Sequence, residues 1–156
     1  MSPVKQIIVA APDLNRDIFR KYIYENPENQ KDFLRVLGEK GVNPRDYPAV
    51  IDLGAGEGGM GWSLVKSGGW LPQNIVCVDW CQPEIKFQEG MKWVYWDLGK
   101  LVEELDNPNL PAEIKTQKHS FDVVISTNVV GDNLDLGNLH KLAKFFVRDG
   151  GFVWVR

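Results

Sequence analysis

Val50-Ile51-Asp52-Leu53-Gly54-Ala55-Gly56-Glu57-Gly58-Gly59 is a short apolar run that breaks into closely spaced glycines. It reads as a strand opening through a loop into a helix, where backbone free of Cβ atoms lets a ligand approach the carboxyl edge of a sheet. Gly54, Gly56 and Gly59 satisfy the G-x-G-x-x-G spacing, so nicotinamide and flavin dinucleotides stand beside other adenosine cofactors as candidates. Charge separates them. Asp52 and Glu57 flank the loop, and no Lys or Arg lies between Asp52 and Val65, which suits a cationic or zwitterionic ligand better than a pyrophosphate. Each carboxylate within a few Å of a phosphate costs about 1 kcal/mol or more at partly exposed dielectric. No Lys-Ser or Lys-Thr pair ends the loop, which excludes a P-loop.

Outward from this loop the chain alternates. Strands are expected at Ala49–Gly54, Asn74–Trp80, Met91–Leu98, Phe121–Val130 and Phe152–Arg156, all β-branched or aromatic. Helices are expected between them at Gly61–Ser67, Leu98–Leu105 and Leu134–Val147, the last ended by Asp149-Gly150-Gly151. Asn107–Ser120, rich in Pro and Lys, reads as a loop. Wholly apolar strands alternating with helices imply a parallel sheet covered on both faces with right-handed crossovers. Before the first strand, Asp13 caps an expected helix running to about Glu25. Asn26-Pro27 opens a second, ending near Gly38 or Gly41. Ile18, Phe19, Tyr22 and Ile23, then Phe33, Leu34 and Leu37, give each a face to bury. Packing against the sheet is the expected role of that hairpin, ahead of a ligand-covering lid.

With 156 residues, 44% hydrophobic and 25% charged, the chain has the composition of one globular domain, and at this length roughly 70% of the unfolded surface is buried on folding without disulfide or metal. We expect a single domain over 1–156, with 1–48 as an N-terminal helical segment and 49–156 as the α/β core. Residues 1–48 carry 8 basic and 7 acidic groups, while 49–156 carry 10 and 14; the net charge of -3 argues against coating nucleic acid through bulk positive charge. Cys77 and Cys81 lack zinc-site spacing and read as reduced, buried thiols. His119 and His140 stand apart from any Cys or His cluster, so no metal site is expected. No apolar run approaches the ~18 residues of a membrane span, and the quickly charged start does not suit a signal peptide, so a cytoplasmic location is expected.

Two more carboxylates fall at strand ends. Asp79 closes the second strand 23 residues after Gly56, near the spacing at which an acid meets ribose hydroxyls in doubly wound nucleotide folds. Asp97 closes the third, further along the same rim, where it suits an exocyclic adenine amine. Any one of these acids alone reads more readily as a cap or turn residue; the three together read as an adenosine site.

Asp52-x-Gly54-x-Gly56-x-Gly58, Asp79, Asp97-Leu98 and Phe121-Asp122-Val123-Val124-Ile125-Ser126 together resemble the class I S-adenosylmethionine-dependent methyltransferases, over about residues 48–156. The resemblance implies an α/β, doubly wound (Rossmann-like), mostly parallel five-stranded sheet of order 3-2-1-4-5 behind the helical hairpin, with S-adenosylmethionine as cofactor. It places Asp52, Gly54, Ala55, Gly56, Glu57 and Gly58 beside the methionine moiety, Asp79 on the ribose, and Asp97 with Leu98 at the adenine. It also lets Trp80 stack on the adenine and a backbone carbonyl of Ser126 or Thr127 meet the methionine amino group. The family's sheet has seven strands, ending in an antiparallel hairpin, whereas this sequence stops at Arg156. The last strand is therefore expected at an open edge, covered by a second copy (a homodimer) or another protein. A compact viral or archaeal member suits these proportions.

Methyl transfer gains much of its rate from proximity and alignment, with a general base needed only for a poor nucleophile. Where amino-directed relatives resemble Asn/Asp-Pro-Pro-Tyr/Phe, this chain reads Ser126-Thr127-Asn128-Val129-Val130-Gly131-Asp132-Asn133, and Asn128 alone echoes the pattern. The glycine loop also echoes ribose 2'-O-methyltransferases, which place an Asp after strand four and a Lys and Glu on later strands; the Asp position holds no clear match here, and this sequence stops before the Glu. Asn128 and Asp132 are the candidate substrate contacts. Lys141, Lys144 and Arg148 read as the solvated side of an amphipathic helix ahead of a nucleic-acid surface. Arg16, Arg20 and Lys21, near Tyr22 and Tyr24, suit a substrate rim. The expected activity is methyl transfer to a nucleic acid, a protein or a small molecule. The alternatives are an NAD-dependent oxidoreductase and a cofactor-binding assembly module without catalysis.

Overall fold

The computed structural model describes residues 27–55, 58–79, 90–95, 97–108, 112–126 and 134–155. The expected helix over Asp13–Glu25, with Arg16, Arg20 and Lys21, lies outside them, as do Gly56, Glu57, Trp80, Cys81, Thr127, Asn128 and Asp132.

The central strand is β1 (Val50–Leu53), flanked by β2 (Ile75–Asp79) and β4 (Phe121–Ser126); β3 (Lys92–Tyr95) lies outside β2, and β5 (Val147–Val155) outside β4. The order is β3-β2-β1-β4-β5 and all four pairings are parallel. Both neighbours of β1 run in clean register, Val50 facing Ile75 on one side and Val123 on the other. Every residue of β1 and β2 is buried, as continuous apolar runs require in a sheet covered on both faces.

Alternation along the strands divides the core in two. Ile51, Leu53, Val76, Val78, Val94 and Val124 meet α3 (Leu98–Glu104) and α5 (Leu136–Phe146) through Leu101, Val102, Leu139, Leu142 and Phe146. On the other face Val50, Ile75, Cys77, Val123 and Ile125 meet α1 (Pro27–Glu39) through Phe33 and Leu37, and α2 (Gly59–Ser63) through Met60. The helix expected to open at Asn26-Pro27 is thus α1, and its apolar face belongs to the core. It ends before Gly41, whose φ of 69° lets the Val42 amide donate back to the Leu37 carbonyl at 2.9 Å.

Several boundaries differ from the sequence reading. The helix expected over Gly61–Ser67 starts at Gly59 and loosens after Ser63 into a π turn over Leu64–Gly68, stopped by Gly69 at φ 83°. The stretch expected as loop between Asn107 and Ser120 contains a turn of helix, α4 (Ala112–Lys115), because Ile114 is drawn into the core. The largest correction concerns Asp149-Gly150-Gly151. These residues do not end α5, which stops at Phe146; they lie inside β5, where the pairing advances from Phe121–Val147 to Val123–Phe152, two residues of β4 facing five of β5. Gly150 at φ 75° makes the bulge, and Gly151 lies so close that a Cβ would stand 2.6 Å from Val147 Cγ2 and 2.9 Å from the Asp122 carbonyl oxygen.

The same bulge removes Arg148 from the helical stripe expected with Lys141 and Lys144. Its guanidinium donates to the Asp122 carboxylate and, at 3.2 Å, to the Asp46 carbonyl, and lies 4.9 Å from the centre of the Tyr47 ring. Asp122 in turn accepts from the Ala49 amide at 2.7 Å, so this cluster ties β5, β4 and the entry to β1 together. Lys141 donates to Asp106 at 2.8 Å. Two of the three cations are therefore engaged within the chain, which leaves little of a basic surface there.

Candidate active site

The sheet reverses its winding between β1 and β4, the place in open α/β folds where ligands bind outside the carboxyl ends of the strands. Two features mark that junction. Ser126, fully buried at the end of β4, donates its hydroxyl to the Leu53 carbonyl at 2.9 Å and pins the two strands together. Directly after Leu53 the chain swings toward β2, as the amides of Gly54 and Ala55 both donate to the Val78 carbonyl at 2.7 and 2.9 Å. Gly54 has φ 78°, a region open to glycine with little strain. Gly58, at φ 84°, leads into α2; its amide donates to Ala55 and its carbonyl accepts from Trp62. A Cβ at Gly58 would stand 3.0 Å from Met91 Cε and 3.1 Å from the Trp93 ring, so glycine is required there for space as well as conformation.

Asp52 is the unusual residue of this junction. It is 1% exposed, and neither carboxylate oxygen has a hydrogen-bond partner among the described residues. Burial, reinforced by the charge of Asp79, pushes its pKa up to about 8. Register explains the pairing: Asp52 lies beside Cys77 on β2, and Asp79, two residues on and 4% exposed, faces the same way. Burial and the two acids push the Cys77 thiol well above its usual range. A buried polar group without partners is rare in folded proteins and calls for a reason. Among the described residues no group of three His, Cys, Asp or Glu side chains is arranged to hold a metal ion.

Asp97 behaves differently. Its Oδ1 accepts from the amides of Gly99 at 2.9 Å and Lys100 at 3.2 Å, so it is the N-cap of α3, and Leu98 behind it packs into the core. The three acids of the rim thus resolve into a buried pair, Asp52 and Asp79, and a capping residue. Asp97→Ala is expected to cost about 1 kcal/mol and lower the melting temperature by roughly 2–4 °C, read by thermal denaturation.

Sequence reasoning missed Trp93 and Met91, whose side chains close over Gly58. The signal was there in the alternation of β3, since Trp93 is in register with Cys77, and Cys77 with Asp52. Gly56, Glu57 and Trp80, and the proposed substrate contacts Asn128 and Asp132, fall outside the described residues.

No protein-family model and no curated protein matches the sequence. One solved structure shares the fold. The chain is similar to a protein of Methanococcus maripaludis to which S-adenosyl-L-methionine-dependent methyltransferase activity is ascribed, with 13% identity and a TM-score of 0.56 over 99% of this chain and 66% of the other. Matches also include an S-adenosylmethionine-dependent methyltransferase from Archaeoglobus fulgidus, with 20% identity, a TM-score of 0.47 and coverage of 81% and 53%. Human N-acetylserotonin methyltransferase in complex with S-adenosylmethionine gives 19% identity, a TM-score of 0.46 and coverage of 91% and 41%. The chain thus spans 41–66% of the length of these structures. At 13% identity the first likeness establishes the doubly wound fold expected from the sequence.

Proposed function

We propose that this chain binds S-adenosylmethionine at the β1 loop and transfers its methyl group to a nucleic acid, a protein or a small molecule. A fold hosts many functions, so function follows from the chemistry of the site. The observation that carries it is the buried Asp52 carboxyl, without a hydrogen-bond partner among the described residues, beside Asp79 at the glycine turn of the switch point. A ligand with positive charge and a vicinal diol fits these two groups. S-adenosylmethionine offers an ammonium, a sulfonium and a ribose; a dinucleotide would bring two phosphate charges to a pair of acids.

In this reading Asp52 and the loop of Gly54, Ala55, Gly56, Glu57 and Gly58 receive the methionine moiety. Asp79 accepts from the ribose hydroxyls, and the second Asp97 oxygen, Leu98 and Trp80 attend the adenine. The backbone at Ser126 meets the amino group, and Asn128 and Asp132 meet the acceptor. The cofactor supplies a sulfonium-activated methyl group. The chain's own residues bind and align it, which is where most of the rate of such a displacement arises. The proposal extends to a cytoplasmic location and to a second copy or another protein along the outer edge of β5, where Val153 is 40% exposed.

The test is isothermal titration with S-adenosylmethionine, its demethylated product and NAD. The first two are expected to bind and NAD to give no response. Asp79→Ala is expected to weaken S-adenosylmethionine tenfold or more, the loss of hydrogen bonds to a charged group. Binding of NAD alone would overturn the proposal in favour of an oxidoreductase, and silence toward all three would favour an assembly module.

A further inference from the structure

Asp52 holds a position in which nothing among the described residues supports its ionisation. Both oxygens are unpartnered among the described residues, and the apolar cluster of this face surrounds it through Val50, Cys77 and Ile125. Facing it from β2 come Cys77 and Asp79, an acid held as a thiol and a like charge; from β4 comes Ile125, and from β3 Trp93. The apolar residues of α1 and α2 cover the same face through Phe33, Leu37 and Met60. Lys92 of β3 is in register with Val76 and alternates to the opposite face, and Arg148 is tied to Asp122. No cation among the described residues acts on Asp52.

A neutral acid and a carboxylate would present different chemistry to a ligand. The neutral acid offers one O–H donor, which an ammonium cannot accept; the carboxylate offers only acceptors and a full charge. Resting on the cofactor reading above, we propose that a cationic cofactor entering this site expels a proton from Asp52 to solvent, so that cofactor binding is coupled to pH through this one side chain. The balance is simple. The Asp52 O–H bond breaks, its electron pair stays on the carboxylate, and the proton passes to buffer, because an α-amino group is already protonated well below pH 7.7. The elevated pKa of Asp52 agrees with this geometry.

The experiment is titration calorimetry of the full chain with S-adenosylmethionine at pH 6.5 in phosphate and in imidazole, whose ionisation enthalpies differ. The expected enthalpy difference corresponds to release of nearly one proton, falling toward zero in Asp52→Asn. The affinity of the unaltered protein is expected to rise up to tenfold per pH unit from pH 6 toward pH 8, a readout that needs no variant. Binding with a buffer-independent enthalpy and a flat pH profile would overturn the coupling and leave the cofactor reading intact. Proton release undiminished in Asp52→Asn would overturn the assignment to this residue. Failure of S-adenosylmethionine to bind at all would overturn the cofactor reading and this inference with it.

Discussion

Asp52→Asn is expected to raise the melting temperature of the ligand-free protein at pH 8 by roughly 5–10 °C and to leave it nearly unchanged at pH 4. The sign follows from proton linkage. The folded-state pKa of Asp52, about 8, stands above the value of 3.8 for an unperturbed aspartate. Between those two values the folded chain therefore holds a proton that the unfolded chain has lost. Stability falls as pH rises through that window and levels off above it. Each unit of difference is worth about 1.4 kcal/mol, so the unpartnered carboxylate costs on the order of several kcal/mol once ionised. Asparagine has nearly the same shape and never ionises, so the penalty disappears where it was largest. Thermal melts of both proteins from pH 4 to pH 9 decide the matter: converging curves at low pH and diverging curves at high pH are expected, and parallel curves would refute an unsupported Asp52.

Phe33→Ala is expected to cost about 3–5 kcal/mol and to lower the melting temperature by roughly 10 °C or more. Phe33 is completely buried on α1, with its ring 5.4 Å from that of Trp154 at the end of β5. Truncation removes the transfer energy of the ring and leaves a cavity between α1 and the sheet that the surrounding side chains relax only partly to fill. The near-ultraviolet circular dichroism of the tryptophans is expected to weaken in parallel. A variant melting within 1–2 °C of the unaltered protein, by the same conversion, would instead mean that α1 behaves as a lid over the site. The distinction matters for function, because the α1 side of the sheet is the one on which Asp52 is buried.

Much of this molecule was legible in its sequence. The runs at Val50–Leu53, Ile75–Asp79 and Phe121–Ser126 announced parallel strands because strands buried on both faces need apolar residues at every position, and the glycines after Leu53 announced the turn at the sheet's carboxyl edge. Asp52, Asp79 and Asp97 were legible as three acids at or near strand ends. The divided role of the acids was not. An Asp ahead of a helix and an Asp facing a ligand look alike in a sequence, and α3 begins directly after Asp97, so that the Gly99 and Lys100 amides claim one of its oxygens. Nor was Arg148 legible, since its partner Asp122 lies 26 residues earlier and meets it only because Gly150 and Gly151 let β5 bulge.

The sequence by itself determined most of the order of elements and the parallel pairing, because hydrophobic periodicity is a local property, whereas Gly150-Gly151 and the turn at Ala112–Lys115 took their roles from contacts with distant residues. The tertiary structure alone decided what the acids of the rim are. The pKa of Asp52 is pushed up because the surrounding strands and helices bury it and, second, because Asp79 from a neighbouring strand adds a like charge. Desolvation depends on everything that surrounds a group in space, most of it distant in the chain.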